Sequence, residues 1–438
     1  MRVSRRTAAL STALAIACGA AAARGQAADS NGRMVVIPAG APMEISAELP
    51  ASGAHAGLAT DSVAPRATWD IDVRSYENKT RVAHYVEMFS GRSKAHIAAR
   101  LSAGSRYESM IRASMREGGI PEDMYYLALI ESGFDPNAYS RAAAVGMWQF
   151  MTSTARDAGL RVDWWIDERR DPVRSTTAAV RVIRELRHQF GSLYLAAAAY
   201  NGGPARVSRG LVKYASDVEG GSRDDAFFLL ADKDYLKNET REYVPQLIAA
   251  ALIGKEPARY GMELHAQPAF AYDSAEVPAS TPLAAVAKAA GASNADIVEL
   301  NPHLLRGMTP PRENTVVRLP IGAGRGFAEA FAALPHEALV ATRIVESKKG
   351  DTADRLAEKH GISERSVKAF NPKLRTLKSG RLAVGQAVLL PSPSVAALAL
   401  TVPDPAIEKF SGKAKHSASH GTKKGAPVKR KHPKSLRH

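Results

Sequence analysis

The spacing of apolar residues divides the chain into a long helical stretch and two shorter mixed segments that follow it. Between about Trp69 and Gly261, apolar residues recur at intervals of three and four in "RVAHYVEMFS", "YESMIRASMREGG", "TTAAVRVIRELRHQF" and "YVPQLIAAALIG", the interval of one helix face. Gly and Pro interrupt the pattern at "GGIP", "FDPN", the "DP" at Asp171 and the "NGGP" at Asn201, which marks these places as breaks between helices. We therefore predict a mainly α domain over residues 67–262.

One carboxylate falls on the apolar face of this domain. Pro121 suits the first turn of a helix, and Met124, Leu127, Ala128 and Glu131 then follow at helical spacing. A buried carboxylate must either find a polar partner or keep its proton near neutral pH, as a general acid does. From this pattern alone, a structural ion pair and a catalytic acid both stay open for Glu131.

The segment from Thr342 to Pro391 changes to a pattern of strand, helix, helix and strand, with helix starts predicted at Asp351-Thr352 and at Ser363. An earlier copy is fainter, because "TPLAAVAKAAGASNADIVELNPHLLRG" aligns with "DTADRLAEKHGISERSVKAFNPKLRTL" through a shared Asn-Pro pair. This is an internal repeat. We predict two small βααβ modules at residues 274–322 and 341–392, joined by a linker at residues 323–340.

The N-terminus predicts export. Arg2, Arg5 and Arg6 precede a short apolar run and a small-residue stretch, so residues 1–25 are predicted to be a signal peptide and residues 26–66 a leader. We expect the mature protein in the periplasm. "ALAIAC" only partly resembles a bacterial lipobox, so two outcomes stay open for Cys18: lipidation with outer-membrane association, or loss with the discarded peptide.

Charge is concentrated at the C-terminus. The chain carries a net charge of +15, and nine of those charges lie between Ser411 and His438, where there is no Asp or Glu. We predict a disordered basic tail over residues 393–438. In an exported protein its expected partners are anionic wall polymer or lipid headgroups, and neither nucleic acid nor an obligate protein partner is expected. The His residues show no ligand-like pairing, so no metal and no cofactor is expected.

Four segments of the helical domain resemble, in order and approximate spacing, the signature of the lysozyme-like lytic transglycosylases, most closely the membrane-bound lytic murein transglycosylase D type. The segments are "ESGFDPNAYS", "VGMWQF", "AAYNGGPARV" and "ETREYV". The resemblance implies a lysozyme-like fold of the α+β superfamily, with Glu131 as the catalytic acid. The substrate-binding residues that we predict within these segments are Ser140, Gln149, Tyr200, Asn201 and Tyr243.

The resemblance implies cleavage of the β-1,4 bond between N-acetylmuramic acid and N-acetylglucosamine of peptidoglycan without water, with a 1,6-anhydro product. A muramidase of goose-lysozyme type, which is a hydrolase, and a catalytically silent wall-binding scaffold are the alternatives. Hydrolysis normally requires a second carboxylate. Asp135 is the nearest candidate, but it precedes Pro136, so we predict a turn role for it.

Two further expectations concern sugar contacts. Trp148, Trp164 and Trp165 could stack on sugar rings, although core packing is the better prediction for the last two. The segment at residues 341–392 resembles a LysM module through its Gly-Asp-Thr turn, its Asn-Pro pair and its Val-Gly-Gln, and that resemblance implies binding of glycan strands that contain N-acetylglucosamine. The earlier copy lacks the Gly-Asp pair, so a glycan-binding module and a plain spacer both stay open for it.

Overall fold

The described residues of the protein are 36–37, 69–219 and 222–405 in the computed structural model. They fall into two compact units, one containing residues 69–219, 222–269 and 404–405 and the other containing residues 36–37 and 270–403. The predicted signal peptide, most of the predicted leader and the tail beyond Pro405 lie outside the described residues.

The first unit is helical, which confirms the predicted mainly α class. Its helices are α1 (Thr80–Ser90), α2 (Lys94–Glu117), α3 (Tyr126–Ser132), α4 (Thr152–Asp157), α5 (Pro172–Phe190), α6 (Leu193–Gly202), α7 (Pro204–Lys213), α8 (Ala215–Val218), α9 (Asp225–Asp232) and α10 (Asn238–Lys255). Single 3-10 turns stand at Arg74–Tyr76, Glu122–Tyr125, Glu168–Arg170 and Pro257–Tyr260.

Helix α10 lies at the centre of this unit, against α1, α3 and α6. Its sequence is apolar on every side from Leu247 to Ile253, and that stretch is fully buried. A helix that is apolar all round belongs inside a core. The alanine-rich α6, buried from Tyr194 to Ala199, lets neighbouring helices approach closely because alanine adds little bulk. Residues on α6 and α10 are thereby held together.

The predicted break at Asp171 is the start of α5. The Asp171 carboxylate accepts hydrogen bonds from the backbone N–H groups of Val173 and Arg174 at 2.9 and 3.0 Å, and Pro172 is the first helical residue. These are typical N-terminal helix signals. The start predicted at Pro121 needs a correction, since Pro121 is extended and a 3-10 turn follows it, and the α-helix begins only at Tyr126.

The second unit contains the two βααβ modules, and this confirms the predicted architecture of that region. The first module consists of β2 (Asp273–Val277), α11 (Leu283–Ala290), α12 (Asn294–Leu300) and β3 (Thr315–Leu319), and a short strand β1 (Val36–Ile37) pairs antiparallel with β2. Two helices follow it, α13 (Phe327–Ala332) and α14 (His336–Leu339). The second module consists of β4 (Thr342–Glu346), α15 (Ala353–Lys359), α16 (Glu364–Phe370) and β5 (Ala387–Pro391), and α17 (Pro393–Ala399) follows it. The strand pairs β2–β3 and β4–β5 are both antiparallel.

The shared Asn-Pro pair has the same structural role in both modules. The Asn301 amide donates to the carbonyls of Ile297 and Arg318 at 2.8 and 2.9 Å and accepts from the Arg318 N–H at 2.9 Å. The Asn371 amide does the same with Val367 and Leu389, each bond being 2.8 Å long. Each asparagine therefore ties the second helix of its module to the last strand. The helix starts predicted at Thr352 and Ser363 are confirmed, since both side chains cap their helices.

The predicted linker at residues 323–340 is not an open connection. Phe327 and Phe331 of α13 are buried, with ring centroids 5.6 Å apart, and α13 packs on α11.

The predicted tail also begins too early, because α17 buries Val395 and Ala399. The buried Arg306 guanidinium donates to the carbonyls of Ala399 and Val402, both at 2.6 Å. Burial of Val395 and Ala399 and the hydrogen bonds from Arg306 therefore hold α17 in the folded second unit.

Candidate active site

A cavity of about 1060 Å³ opens in the helical unit, among α3, α5, α6 and α10. All six residues that the sequence analysis singled out line it, although they come from four separate segments. They are Glu131, Ser140, Gln149, Tyr200, Asn201 and Tyr243. A concave site with a few convergent polar groups is the usual form of a small-molecule or polymer-end binding site.

Glu131 lies in the last turn of α3, and Gly133, which follows the helix, has a left-handed backbone conformation. Its Oε1 accepts a hydrogen bond from the Tyr243 hydroxyl of α10. Burial of the carboxyl group raises the pKa of Glu131 to about 7; the bond from Tyr243 acts in the opposite direction, and the nearby negative charge of Glu239 adds to the rise. A carboxyl group with a pKa near 7 can both give and take a proton at neutral pH.

Two tyrosines flank this carboxyl group. Tyr243 donates to Glu131, and the Tyr200 hydroxyl donates to the Trp148 carbonyl at 2.8 Å. Burial raises the pKa of both phenols well above the usual range, and the negative charge of Glu131 adds to the rise. Both therefore stay protonated near neutral pH and act as hydrogen-bond donors beside Glu131.

Ser140 and Gln149 stand at the two ends of one loop. The Ser140 N–H donates to the Ala144 carbonyl at 2.9 Å, and the Ser140 Oγ accepts from the Ala144 N–H at 3.0 Å. Gln149 has a φ of +50°, an uncommon conformation for a residue with a side chain, and its Nε2 donates to the Gly146 carbonyl at 2.8 Å. Hydrogen bonds within the loop thus hold it in a conformation in which Gln149 lines the cavity.

A buried ion pair supports this loop from behind. Arg169 and Asp167 are both buried, and the guanidinium meets the carboxylate through two nitrogens, Nε and Nη2, at 2.8 and 2.9 Å. The remaining nitrogen, Nη1, donates to the Phe150 carbonyl at 3.2 Å and to Thr152 Oγ1 at 3.0 Å. Gly146 has a φ of +84°, and a Cβ there would stand 1.9 Å from the Arg169 carbonyl oxygen. This pair was not predicted from the sequence, because nothing in the local pattern shows that residues 167–169 pack against the loop.

Family comparisons agree with this geometry. Residues 108–217 match the family model described as "Transglycosylase SLT domain", residues 271–336 match "Lytic transglycosylase MltD, LysM-like domain", and residues 348–391 match "LysM domain". The chain contains a transglycosylase SLT domain, an MltD-type LysM-like domain and a LysM domain. The family resemblance predicted from the motifs is confirmed, and the LysM-like match extends past residue 322 to include α13.

The chain is similar to membrane-bound lytic murein transglycosylase D of Escherichia coli (strain K12), with 29% identity over 312 residues, which is 68% of this chain and 66% of that protein. It is also similar to peptidoglycan transglycosylase gp16 of Escherichia phage T7, with 35% identity over 106 residues, 24% of this chain and 8% of that protein. Among solved structures, the 70 kDa soluble lytic transglycosylase of Escherichia coli matches 36% of this chain and 25% of its own, with 23% identity and a TM-score of 0.29.

The SLT match ends at residue 217, so Tyr243 and the whole of α10 lie outside it. α10 also brings Glu239 to the cavity, and with Asp157 of α4 and Glu185 of α5 it is one of three carboxylates besides Glu131 that line it. None of these three was predicted as a site residue. The "ETREYV" segment begins with Glu239, so the signal was present in a motif that had already been noted. Glu239 is exposed.

Asp135 does not line the cavity of the SLT domain. Its Oδ1 accepts from the Asn137 N–H at 2.8 Å, which is an Asx turn and the turn role that we predicted. The stacking role considered for Trp148 is wrong, because Trp148 is fully buried and its Nε1 donates to Thr176 Oγ1 at 3.0 Å. Trp164 and Trp165 are half-buried and stand outside the cavity lining.

Within residues 36–37, 69–219 and 222–405, no group of three or more His, Cys, Asp or Glu side chains is arranged to hold a metal ion. No helix in the same part of the chain has the length and apolar character needed to cross a bilayer.

Proposed function

We propose that the protein is a lytic transglycosylase that cleaves the β-1,4 bond between N-acetylmuramic acid and N-acetylglucosamine in peptidoglycan and leaves 1,6-anhydromuramoyl ends. The observation that carries the proposal is Glu131, a carboxyl group with a pKa of about 7 that lies within the SLT match and opens on the cavity of the helical unit. A single residue that serves first as acid and then as base needs a pKa near the working pH.

The proposed reaction has two proton transfers through Glu131. In the first, the protonated carboxyl group gives its proton to the bridging oxygen as the bond from that oxygen to the muramoyl C1 breaks. In the second, the carboxylate takes the proton of the muramoyl C6 hydroxyl. The C6 oxygen then bonds to C1 and closes the anhydro ring. Glu131 ends protonated again, and no water is consumed.

The other cavity residues have proposed roles in holding the substrate. Tyr243 would stabilise the Glu131 carboxylate formed after the first transfer, since its hydroxyl already donates to Oε1. Gln149 and Asn201 would bind acetamido or hydroxyl groups through their amides, Tyr200 would offer a ring face and a hydroxyl, and Ser140 would orient the loop that carries Gln149.

The LysM-type domains are proposed to hold the enzyme on glycan strands of its insoluble substrate, which raises the local concentration of cleavable bonds. We also propose that residues 1–25 direct export to the periplasm. In the alternative form of this proposal, Cys18 is lipidated and attaches the protein to the outer membrane.

Mass spectrometry of peptidoglycan digested by the full chain tests the proposal. Anhydromuramoyl products are the expected result, whereas reducing muramic acid ends would identify a hydrolase of goose-lysozyme type and no release at all would identify a scaffold. Hydrolysis normally requires a second carboxylate, so peptidoglycan should be digested in parallel with the Glu239→Gln and Asp135→Asn variants. Either variant losing activity as fully as Glu131→Gln, with unchanged circular dichroism, would favour the hydrolase.

A further inference from the structure

The Asn201 side chain is held between two consecutive residues of α10. Thr240 Oγ1 donates to Asn201 Oδ1 at 2.8 Å, and Asn201 Nδ2 stands 3.4 Å from Glu239 Oε1. A hydroxyl can donate to the amide oxygen, and a carboxylate can only accept from the amide nitrogen. Turning the amide over would place Oδ1 against the carboxylate, where there is no proton to share. The Glu239 carboxylate therefore selects this orientation of the amide, and the Thr240 hydroxyl, which can accept as well as donate, holds it by donating to Oδ1.

Thr240 acts from outside the cavity. It is fully buried and does not line the cavity, whereas Asn201 and Glu239 both do. The close contact with α6 depends on Gly202, because a Cβ there would stand 2.6 Å from Thr240 Oγ1 and 2.8 Å from its Cγ2. The absence of a side chain at residue 202 lets the Thr240 hydroxyl reach the amide of the residue before it.

The orientation decides what the cavity offers to a sugar. With Oδ1 occupied by Thr240, the amide presents Nδ2, a donor, on the cavity side near Glu239. The carbonyl oxygen of an acetamido group is an acceptor, so it fits a donor and is repelled by a carbonyl. On the reversed amide the same position would present an acceptor.

We infer that Thr240 is a positioning residue that fixes the Asn201 amide with its N–H group toward the substrate, and that this contact selects sugars bearing an acetamido carbonyl. The inference rests on the proposed function, because it takes the occupant of the cavity to be an N-acetylated glycan. Thr240 does not touch the substrate itself, and its effect passes through Asn201.

The test compares Thr240→Val, which removes the hydroxyl at nearly constant shape, with Thr240→Ser, which retains it, in the full chain. Thr177→Val is the control, since Thr177 is an exposed threonine of α5. The substrates are soluble peptidoglycan glycan fragments with intact acetamido groups and the same fragments after de-N-acetylation. We expect Thr240→Val to lose about tenfold in kcat/KM on the acetylated fragments, mainly through KM, as for the loss of one good hydrogen bond.

Three results separate positioning from mere structural support. On de-N-acetylated fragments, Thr240→Val should match the parent within about twofold, because the contact that it disturbs is already missing. Thr240→Ser should restore most of the lost kcat/KM on acetylated fragments. The pH at which activity declines should stay unchanged, since Tyr243 on the same helix still bonds Glu131; a shift of that pH would mean that α10 has moved and would overturn the inference.

The inference and the proposed function fail in different ways. If the parent releases no anhydro product, the proposed function is wrong. If the parent releases it and Thr240→Val loses activity equally on both fragments, or through kcat alone with KM unchanged, the Thr240 inference is wrong and the proposed function stands.

Discussion

Glu131 and Tyr243 form one hydrogen bond across 112 positions of sequence. Burial raises the pKa of Glu131 and the Tyr243 hydroxyl lowers it, with a result of about 7. Because these two effects oppose each other in one carboxyl group, a substitution at either residue should change the pH dependence in a known direction.

Replacing Glu131 by Gln should abolish cleavage of sacculi while the SLT domain stays folded. The amide keeps the shape of the side chain but cannot give and retrieve a proton, and general acid–base catalysis contributes on the order of a hundred- to ten-thousandfold. Glu117→Gln, an exposed change on α2, is the control and should match the parent. Turnover by Glu131→Gln within tenfold of the parent would contradict the role.

The same variant should change how stability depends on pH. The pKa of Glu131 rises from 4.5 to about 7 on folding, so between these values the folded state binds more protons than the unfolded state. The free energy of unfolding contributed by Glu131 therefore falls as pH rises through this window. Above pH 7, Glu131→Gln should be more stable than the parent by up to about 3 kcal/mol.

Urea unfolding followed by tryptophan fluorescence measures this difference, because all four Trp residues lie between Trp69 and Trp165 and report on the helical unit alone. If the difference in the free energy of unfolding between variant and parent stays constant from pH 4.5 to pH 8, the pKa of Glu131 is not raised by folding.

Replacing Tyr243 by Phe should move the decline of activity to higher pH. The lost hydrogen bond stabilised the carboxylate, so its removal raises the pKa of Glu131 further, on the order of one pH unit. The pH profile of kcat/KM is the measurement. Tyr200→Phe is the matched control, because Tyr200 bonds the Trp148 carbonyl and not Glu131, and its profile should keep the parent midpoint. A shift to lower pH in Tyr243→Phe would be the contrary result.

At the scale of elements, each βααβ module is closed by one asparagine. Asn371 links α16 to β5 through three bonds of 2.8 Å, and the core beneath them contains Leu356, Val367 and Leu390. A module of this size has few buried side chains, so one side chain that satisfies three backbone groups has a large share in its stability.

Replacing Asn371 by Asp should therefore destabilise the second module by roughly 2–4 kcal/mol, because the carboxylate cannot donate to the two carbonyls and faces them with a negative charge. Hydrogen exchange of the full chain should show lost protection in residues 342–391. Asn294→Asp, an exposed change at the first residue of α12, should leave exchange unchanged, since a negative charge is favourable there. Equal protection in the two variants would refute this role for Asn371.

At the scale of the molecule, cleavage and glycan holding are assigned to different units. The helical unit includes the residues just beyond Gly261, since the His265 and Gln267 N–H groups donate to Ser102 Oγ and Ser105 Oγ at 3.0 and 2.8 Å. A cut that preserves the site therefore belongs after residue 269, and a cut that removes only the basic tail belongs after Pro405, beyond α17 and the carbonyls that Arg306 binds.

The chain ending at residue 269 should cleave short soluble glycan fragments about as fast as the full chain, and insoluble sacculi more slowly, because tethering acts through effective concentration and not through the chemical step. The chain ending at Pro405 should bind sacculi with less salt dependence than the full chain, since it lacks ten Lys and Arg and one Glu, a net nine positive charges. Pull-down on sacculi across a salt series measures both. Equal binding by the two shortened chains would show that the LysM-type domains are spacers.

The sequence by itself determined the features that depend on neighbours a few residues apart. Helix periodicity predicted the mainly α domain, the "DP" pair predicted a break at Asp171, where α5 begins, and Thr352 and Ser363 predicted the starts of α15 and α16. A cap or an apolar stripe is decided within one or two turns. The resemblance of four segments to the lytic transglycosylase signature also pointed to the six cavity residues, whose roles stay predictions.

Only the tertiary structure decided which of these groups meet. The bond from Tyr243 to Glu131, the Thr240 hydroxyl on the Asn201 amide and the ion pair of Arg169 beneath the loop join segments whose closeness depends on how the helices pack. Trp148 was misjudged for the same reason, since its burial depends on α5 and not on its own neighbours. Helix α13 was missed because a short segment with two buried aromatic rings carries little periodicity, and its packing on α11 stabilises it.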